Sequence, residues 1–273
     1  PYGSITRVRM QVGVPGLVAI VAGASGSIGS ATVRALYASG INVVLAALYD
    51  EKLDGLGAEA KAAGVRSLVV PTDLRSRSDI DLLVAKTLVT FSRVDILINA
   101  AGIGTSPSLC ETTDAELEAV IDVNLLGPAR LIQAVLPVMK AQRRGSIVNI
   151  GSIAGEAAVM GIYSASKFGL RGLTDTVRRE VRSYNVDVSL IQPGFVRSPM
   201  NAALGDRLPG PEIVADAVMS AISKPRRNHI VPSAYRLPVF VAGVFPALID
   251  AVFGNARIQD RLNRDARAER AAN

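Results

Sequence analysis

Residues 18–29 read Val-Ala-Ile-Val-Ala-Gly-Ala-Ser-Gly-Ser-Ile-Gly, so an unbroken apolar run passes directly into a glycine-rich turn. The run begins at Leu17 and predicts a strand that is covered on both faces. Glycines at a strand-to-helix joint let backbone N–H groups approach a pyrophosphate at the positive end of the following helix. A glycine turn alone also caps ordinary strand–helix units. Placed between a first buried strand and a helix, it predicts a dinucleotide-binding site.

Strand-like and helix-like segments alternate along the rest of the chain. The predicted strands are Leu17–Val21, Asn42–Ala46, Ser67–Val70, Val94–Asn99, Ser146–Ile150, Asp187–Ile191 and His229–Val231. The predicted helices are Ile28–Ser39, Glu51–Ala63, Asp79–Phe91, Asp114–Lys140, Tyr163–Ser183 and Pro211–Ser223. Strands that alternate with helices pair in parallel through right-handed crossovers. We therefore expect an α/β fold, with a doubly wound parallel sheet of about seven strands, helices on both faces, and one domain over residues 1–273.

The composition excludes several other classes of protein. The 273 residues include one cysteine, Cys110, and one histidine, His229, so an intrachain disulfide and the usual zinc ligand sets are excluded and no metal is expected. The net charge is +6, but residues 224–273 hold nine Lys/Arg against four Asp/Glu, so the rest is nearly neutral. Without Trp, and without aromatic residues interleaved with basic ones, nucleic-acid binding is not expected. No apolar run approaches the ~18 residues of a membrane-spanning helix, and we expect a cytoplasmic protein.

A tyrosine and a lysine four residues apart open the fifth predicted helix. Tyr163 and Lys167 share one helix face, so the ammonium can lie near the phenol. A phenol with a pKa of about 10 is a poor acid–base at neutral pH, and a nearby cation favours the phenolate. Ser152 follows a predicted strand, at the edge of the sheet where ligands of α/β proteins bind. Taken alone, Tyr163 and Lys167 would also suit an exposed helix surface, and Ser152 would also suit a turn. Taken together, the three residues predict an acid–base site.

In this order, the motifs between about residues 17 and 231 resemble those of single-domain short-chain dehydrogenase/reductases. The resemblance implies a Rossmann fold and hydride transfer between a nicotinamide and a carbonyl or carbinol carbon. It implies that Tyr163 exchanges the hydroxyl proton, that Lys167 lowers the pKa of Tyr163 and binds the nicotinamide ribose, and that Ser152 holds the substrate oxygen. Asn124 matches the helix asparagine of the family and would hold a water that links Lys167 to solvent.

The same resemblance assigns cofactor-binding residues to the loops that follow the strands. The glycine turn would hold the pyrophosphate, residues 73–74 the adenine, and residues 193–198 the nicotinamide carboxamide. The full predicted set is Gly23, Ser25, Ser27, Ile28, Gly29, Leu48, Asp73, Leu74, Asn99, Ala100, Ala101, Gly102, Tyr163, Lys167, Pro193, Gly194, Val196 and Ser198.

The sequence departs from the family pattern at several positions. Ala22 stands where the family has threonine, and the middle glycine comes one place early, as Gly26 followed by Ser27. A side chain at position 27 could crowd the pyrophosphate. Ala100 replaces the second asparagine of the motif after the fourth strand. The interval from the serine to the tyrosine is eleven positions, shorter than usual, and this loop normally lines the substrate pocket.

The end of the second strand selects between NAD and NADP. An acidic residue there accepts hydrogen bonds from the ribose hydroxyls, and an arginine pairs with a 2′-phosphate. Ala47 stands at the acidic position and Leu48 at the arginine position, so neither determinant is present. The Leu-Ala-Ala run at 45–47 resembles that of NADP-preferring members, and the sequence therefore favours NADP slightly over NAD.

Residues 232–273 predict an extension that caps the substrate site or contacts a lipid-like surface. Residues 235–245 are almost entirely apolar, and Pro246 suits the first turn of a helix. That helix would carry Phe245, Leu248, Ile249, Val252 and Phe253 on one face, followed by Arg257, Arg261, Arg264, Arg267 and Arg270. An apolar stripe before an arginine-rich segment fits a peripheral membrane contact and a hydrophobic substrate. The alternative is that the stripe packs on the body of the protein or in a subunit interface.

Two classes of function remain open from the sequence. The first is an NAD(P)-dependent alcohol dehydrogenase or carbonyl reductase, working on a hydrophobic ketone or alcohol. The alternative is a non-catalytic dinucleotide-binding or regulatory protein that retains the fold, which the shortened loop and altered glycine turn make conceivable. The presence of Asn124, Ser152, Tyr163 and Lys167 favours the enzyme. The resemblance further implies a homodimer or homotetramer.

Overall fold

The computed structural model describes residues 16–104, 108–204 and 207–255, and these contain one seven-stranded sheet. Its strands are β1 (Val18–Ala22), β2 (Asn42–Ala47), β3 (Ser67–Pro71), β4 (Ile96–Asn99), β5 (Gly145–Ile150), β6 (Val186–Pro193) and β7 (Asn228–Val231). All neighbouring strands are parallel, in the order β3-β2-β1-β4-β5-β6-β7. The predicted doubly wound sheet is confirmed, and a single domain over the whole chain stays a prediction.

Helices cover both faces of this sheet. They are α1 (Ser27–Ala38), α2 (Glu51–Ala62), α3 (Arg77–Phe91), α4 (Asp114–Ile121), α5 (Gly127–Gln142), α6 (Ala154–Ala157), α7 (Gly161–Glu180), α8 (Glu212–Ser223), α9 (Arg236–Val244) and α10 (Pro246–Phe253). Side chains cap several of them: Asp50 accepts from the N–H of Leu53 before α2, and Thr113 forms a capping box with Glu116 before α4. On one face α1 packs with α8, and on the other α3 packs with α5.

The central strand β1 shows why the sheet is buried on both sides. Val18 and Ile20 belong to the hydrophobic core on the side of α3 and α5, whereas Ala19 and Val21 belong to the core on the side of α1 and α8. Alternate residues of a strand point to opposite faces, so a strand between two helical layers must be apolar throughout.

The order of the strands fixes where a ligand can bind. From β1 the chain moves outward through β2 to β3, and then returns to place β4 on the other side of β1. The crevice at the carboxyl ends of β1 and β4 is therefore a topological switch point, the usual ligand position in this class of fold. Since all the strands are parallel, the loops after β1 to β6 meet at this edge.

The predicted helix Asp114–Lys140 is interrupted in the structure. A π-helical turn, Asp122–Leu126, separates α4 from α5. The combined segment Asp114–Gln142, with a mean hydropathy of 1.4, is long and apolar enough to cross a membrane by length and composition alone. Here its second half packs in the core through residues such as Leu131 and Val135, so its apolar character is explained by the fold.

The C-terminal part of the described chain forms two short helices, α9 and α10. Pro246 occupies the first turn of α10, as predicted. Helix α9 packs against α6, the single turn that follows β5. The five predicted arginines, from Arg257 to Arg270, lie outside the described residues.

Candidate active site

Two glycines of the turn between β1 and α1 are packed so closely that no side chain would fit. The N–H of Gly23 donates to the carbonyl oxygen of Ala46 at 2.7 Å, and its φ of +81° favours glycine. A Cβ at Gly23 would lie 2.5 Å from the backbone nitrogen of Ala101, and a Cβ at Gly29 only 1.9 Å from the carbonyl oxygen of Gly23. This packing holds the N-terminus of α1 at the carboxyl edge of the sheet.

The N-terminus of α1 has the features of a pyrophosphate site. Gly26 precedes the helix without a side-chain cap, and the first turn holds no acidic residue. The first N–H groups of a helix therefore remain suited to a phosphate. Gly26 is exposed at this turn, and Ser25, Ser27 and Ile28 are partly buried. A Cβ at Gly26 would lie 3.4 Å from the carbonyl oxygen of Gly23, an ordinary contact, so the packing of the protein itself does not require this glycine.

The residues predicted for the adenosine end lie after β2 and β3. Leu48 is exposed, and Leu74 is buried. The carboxylate of Asp73 accepts from the guanidinium of Arg75 at 2.6 to 3.0 Å, and this hydrogen bonding lowers the pKa of Asp73. An adenine contact by Asp73 would therefore share a carboxylate that Arg75 already binds.

The loop after β4 joins the glycine turn to the catalytic residues. The N–H of Ala100 donates to the carbonyl oxygen of Ala22 at 2.9 Å. A Cβ at Gly102 would lie 3.2 Å from Nζ of Lys167. Glycine at this position therefore allows the loop to approach the lysine.

Asn99, also predicted for the cofactor, takes part in a buried amide chain. Its Nδ2 donates to Oδ1 of Asn149 at 2.7 Å, and Nδ2 of Asn149 donates to the Thr174 hydroxyl at 2.8 Å. This chain ties β4 and β5 to α7. Within the described part of the protein, Oδ1 of Asn99 is buried and has no hydrogen-bond partner.

Ser152, Tyr163 and Lys167 come together at the carboxyl end of β5. The ammonium of Lys167 lies 5.7 Å from the centroid of the Tyr163 ring and donates to the carbonyl oxygen of Ile150 at 3.0 Å. The Ser152 hydroxyl lies near the Tyr163 phenol and favours its ionised form. Oγ of Ser152 also accepts from the N–H of Ala154 at 3.1 Å, which fixes its position.

Burial determines the charge states of these residues. Burial raises the pKa of Tyr163 above its ordinary value, and the nearby Ser152 hydroxyl opposes that rise. Burial lowers the pKa of Lys167 to about 8. The net shift is therefore opposite to the predicted lowering of the Tyr163 pKa by Lys167, because desolvation of the phenolate outweighs the stabilisation that nearby groups give it. Tyr163 is thus a neutral phenol at neutral pH, with a proton to donate.

Asn124 lies in the π-helical turn, completely buried. Its Nδ2 donates to the carbonyl oxygen of Ile103 at 2.9 Å and to the Ser166 hydroxyl at 3.0 Å, and its Oδ1 accepts from the N–H of Ile103 at 2.9 Å. The side chain is therefore engaged by the protein and holds the loop after β4. The predicted water between Asn124 and Lys167 stays a prediction.

The short interval between Ser152 and Tyr163 is filled by α6, and Glu156 anchors this turn. The carboxylate of Glu156 accepts from Nη1 of Arg171 on α7 and, at 2.5 Å, from Nε2 of Gln192 on β6. None of these three residues was predicted from the sequence motifs. The one available signal was the position of Arg171, four residues after Lys167 on the same helix.

The segment after β6 closes the site on the far side from the glycine turn. The carbonyl oxygen of Pro193 accepts from the N–H of Ile153 at 3.0 Å, next to Ser152. A Cβ at Gly194 would lie 2.3 Å from Cε2 of Tyr235, so this glycine lets the chain before α9 approach. Val196 is buried and Ser198 partly buried. The predicted carboxamide-binding segment therefore lies beside the predicted catalytic serine.

Comparisons with known proteins identify the family of this chain. Residues 17–208 match the family model of short chain dehydrogenases. A 3-oxoacyl-[acyl-carrier-protein] reductase of Synechocystis sp. is 35% identical over 233 residues, which cover 81% of this chain and 94% of that relative. The chain belongs to the short-chain dehydrogenase/reductase family.

Solved structures of the family superimpose on this chain. A metagenomic short-chain oxidoreductase in complex with NADP has a TM-score of 0.70 at 36% identity, covering 80% of this chain and 97% of its own. A short-chain dehydrogenase/reductase from Burkholderia phymatum in complex with NAD has a TM-score of 0.80 at 26% identity, covering 88% of this chain and 96% of its own. This protein is accordingly an oxidoreductase of the family with a nicotinamide dinucleotide as its cofactor.

Proposed function

We propose that this protein transfers a hydride between the nicotinamide of NAD or NADP and an apolar ketone or secondary alcohol. The observation that carries the proposal is the buried Tyr163 phenol, which has the Ser152 hydroxyl near it and Lys167 one helical turn away. This arrangement offers a proton donor, a second hydrogen-bond donor for the same substrate oxygen, and a cation, in a place with little water.

The residues have distinct roles in the direction of reduction. The hydride would come from a nicotinamide held by the glycine turn and the segment after β6, which is chemistry of the cofactor. Tyr163 gives its proton to the carbonyl oxygen and becomes a phenolate, while Ser152 donates a hydrogen bond to that oxygen as negative charge develops on it. Lys167 is mainly protonated at neutral pH, because its pKa is about 8, and its charge stabilises the phenolate. In oxidation, the phenolate takes the hydroxyl proton.

Apolar side chains at the open side of the site support an apolar substrate. Ile103, Phe195 and Met200 are large hydrophobic residues that remain exposed. The methyl carbon of Met200 lies 3.5 Å from where a Cβ at Gly104 would be, so the segment after β6 and the loop after β4 approach each other here. An apolar substrate would cover these side chains, which is the usual composition of a small-molecule pocket.

For the cofactor, we propose that the wild-type protein discriminates only weakly between NAD and NADP. The sequence favours NADP slightly, through the run at 45–47. Residues 50–54 oppose a 2′-phosphate, because Asp50, Glu51 and Asp54 outnumber the single cation Lys52 at the start of α2. Position 48, where a side chain could meet the ribose, holds an exposed leucine, which is neither acidic nor basic.

Two substitutions at Leu48 test the placement of the adenosine ribose. Leu48→Arg should tighten NADP selectively, by roughly 10-fold, because a guanidinium pairs with the 2′-phosphate and has no equal partner in NAD. Leu48→Asp, the matched variant, should shift the preference towards NAD. The Kd values of both dinucleotides by fluorescence titration measure these shifts. Equal effects of either substitution on the two cofactors would show that Leu48 does not face the ribose.

Turnover distinguishes the enzyme from a non-catalytic dinucleotide-binding protein. We expect oxidation of NADH or NADPH, followed by absorbance, with members of a panel of apolar ketones, and the reverse reaction with the corresponding alcohols. A thermal shift with the dinucleotides, but no turnover with any member of the panel in either direction, would favour the binding protein.

A further inference from the structure

Two short helices at the end of the described chain present a large apolar surface to solvent. Six large side chains on or between α9 and α10 are at least half exposed: Leu237, Phe240, Val244, Phe245, Leu248 and Val252. These six residues are called the apolar face below. From Leu237 to Asn255 the sequence has a single charged residue, Asp250. Contiguous exposed apolar surfaces are uncommon on monomeric soluble proteins and mark contact sites.

The apolar face is not part of the protein's own core. Helix α9 packs against α6 and buries one residue, Ala242, while α10 buries none. The alternative in which the stripe packs on the body of the protein is therefore wrong for these residues. Within the part of the chain that the structure describes, nothing covers this face.

The charge of the same end of the chain indicates what covers it. Residues 224–273 hold nine Lys/Arg against four Asp/Glu, which is nearly the whole net charge of +6. The sequence after α10, residues 256–273, has five arginines against three acidic residues. An anionic surface would complement this charge, whereas a second copy of the same segment would bring like charges together.

The geometry of the two helices fits a surface that they lie on. At 1.5 Å per residue, α9 and α10 are each about 12–14 Å long, less than half of the ~30 Å hydrocarbon core of a bilayer. The helical segments Ser233–Val244 and Pro246–Phe253 are bent by 103° relative to each other. Short apolar helices with basic residues nearby lie in the membrane interface, with their apolar sides among the acyl chains.

We propose that the apolar face docks this protein peripherally on an anionic lipid bilayer, whose charge complements the net positive charge of residues 224–273. Helix α9 packs against α6, whose turn follows Ser152, so the docked surface would lie beside the side of the site that faces the substrate. An apolar substrate could then pass from the bilayer without crossing water. The docking itself does not depend on the proposed reaction, and vesicle binding tests it without any activity measurement.

The experiment is flotation of the full chain with vesicles of phosphatidylcholine alone and of phosphatidylcholine mixed with phosphatidylglycerol. The protein should float with the mixed vesicles, and added salt should weaken binding because it screens the charges. Leu237→Ser/Phe240→Ser removes two side chains that are 69% and 63% exposed and should weaken binding at least ~10-fold. Val89→Ser on α3, which removes an 87% exposed apolar side chain elsewhere, is the matched control and should bind like the wild type.

Circular dichroism and the thermal shift with dinucleotide would verify that each variant is folded. We expect this because the two substituted residues, Leu237 and Phe240, are exposed. The proposal is overturned if the wild type floats with neither vesicle, or equally with both. It is also overturned if sedimentation velocity shows that Leu237→Ser/Phe240→Ser converts an oligomer to monomers while vesicle binding stays at background. In that case a second copy of the chain covers the face.

Discussion

Replacing Glu156 with alanine removes the carboxylate that ties the turn after Ser152 to its neighbours. Gln192 is 1% exposed, so loss of the acceptor for its Nε2 leaves a buried donor unsatisfied, at a cost of about 1–3 kcal/mol. The Arg171 side chain is 33% exposed and can rehydrate, so the lost ion pair adds only about 0.2–1 kcal/mol. A total of about 1–4 kcal/mol corresponds to a Tm lower by roughly 2–16 °C for a chain of this size.

The same substitution should lower activity through the position of Ser152. Glu156 is a positioning residue, since it holds α6, and the N–H of Ala154 in α6 fixes the Ser152 hydroxyl. Because small misplacements of catalytic groups are costly, kcat should fall by roughly 10-fold or more, while the Kd of the dinucleotide stays near the wild-type value. Glu156→Gln keeps an acceptor for Gln192 and should recover most of the stability and of kcat.

Calorimetry and initial rates at saturating dinucleotide measure these effects. Glu59→Ala is the matched control, because it breaks an exposed ion pair with Arg34, between α2 and α1, and should leave kcat unchanged. If Glu156→Ala lowers the Tm but preserves kcat, Glu156 stabilises the fold without positioning Ser152. An unchanged Tm would contradict the buried hydrogen bond to Gln192 itself.

Two further predictions follow from the burial of Lys167 and from the glycine turn. The pKa of Lys167 in the folded protein, about 8, lies below its ordinary 10.5, so the unfolded chain binds more protons between these values and stability rises with pH there. Lys167→Met should therefore raise the free energy of unfolding by up to about 3 kcal/mol at pH 7, and this gain should disappear above pH ~10. Urea unfolding at the two pH values measures it. No gain at pH 7 would contradict the buried charge. The Cβ of Gly29→Ala would lie 1.9 Å from the Gly23 carbonyl oxygen, so this variant should bind the dinucleotide much more weakly or be less stable. The Cβ of Gly26→Ala would lie 3.4 Å from the same oxygen, so this variant should fold as the wild type does. Thermal shifts with dinucleotide compare the two variants, and equal stability and binding in both would contradict the close packing at Gly29.

The fold was largely predictable from the sequence because it is encoded locally. A strand between two helical layers must be apolar on both faces, and β1 satisfies this while running into the glycines that the tight turn requires. The spacing of Tyr163 and Lys167 placed both on one face of α7, and the structure brings Ser152 to them.

The remaining features depend on contacts between segments that are distant in sequence. The π-helical turn at Asn124 accompanies hydrogen bonds to Ile103, 21 residues away, which no local pattern indicates. The pKa of Tyr163 depends on burial, and spacing alone suggested the opposite direction. Glu156 meets Gln192 across 36 residues of sequence, so its role became visible only in the folded chain.

The central claim is that the Tyr163 phenol transfers the proton, and Tyr163→Phe tests it most directly because it removes a single oxygen. The variant should fold like the wild type and bind the dinucleotide with similar affinity, while kcat on a ketone that the wild type reduces falls at least ~10²-fold, the lower range for general acid–base catalysis. Turnover by Tyr163→Phe close to that of the wild type would contradict the account.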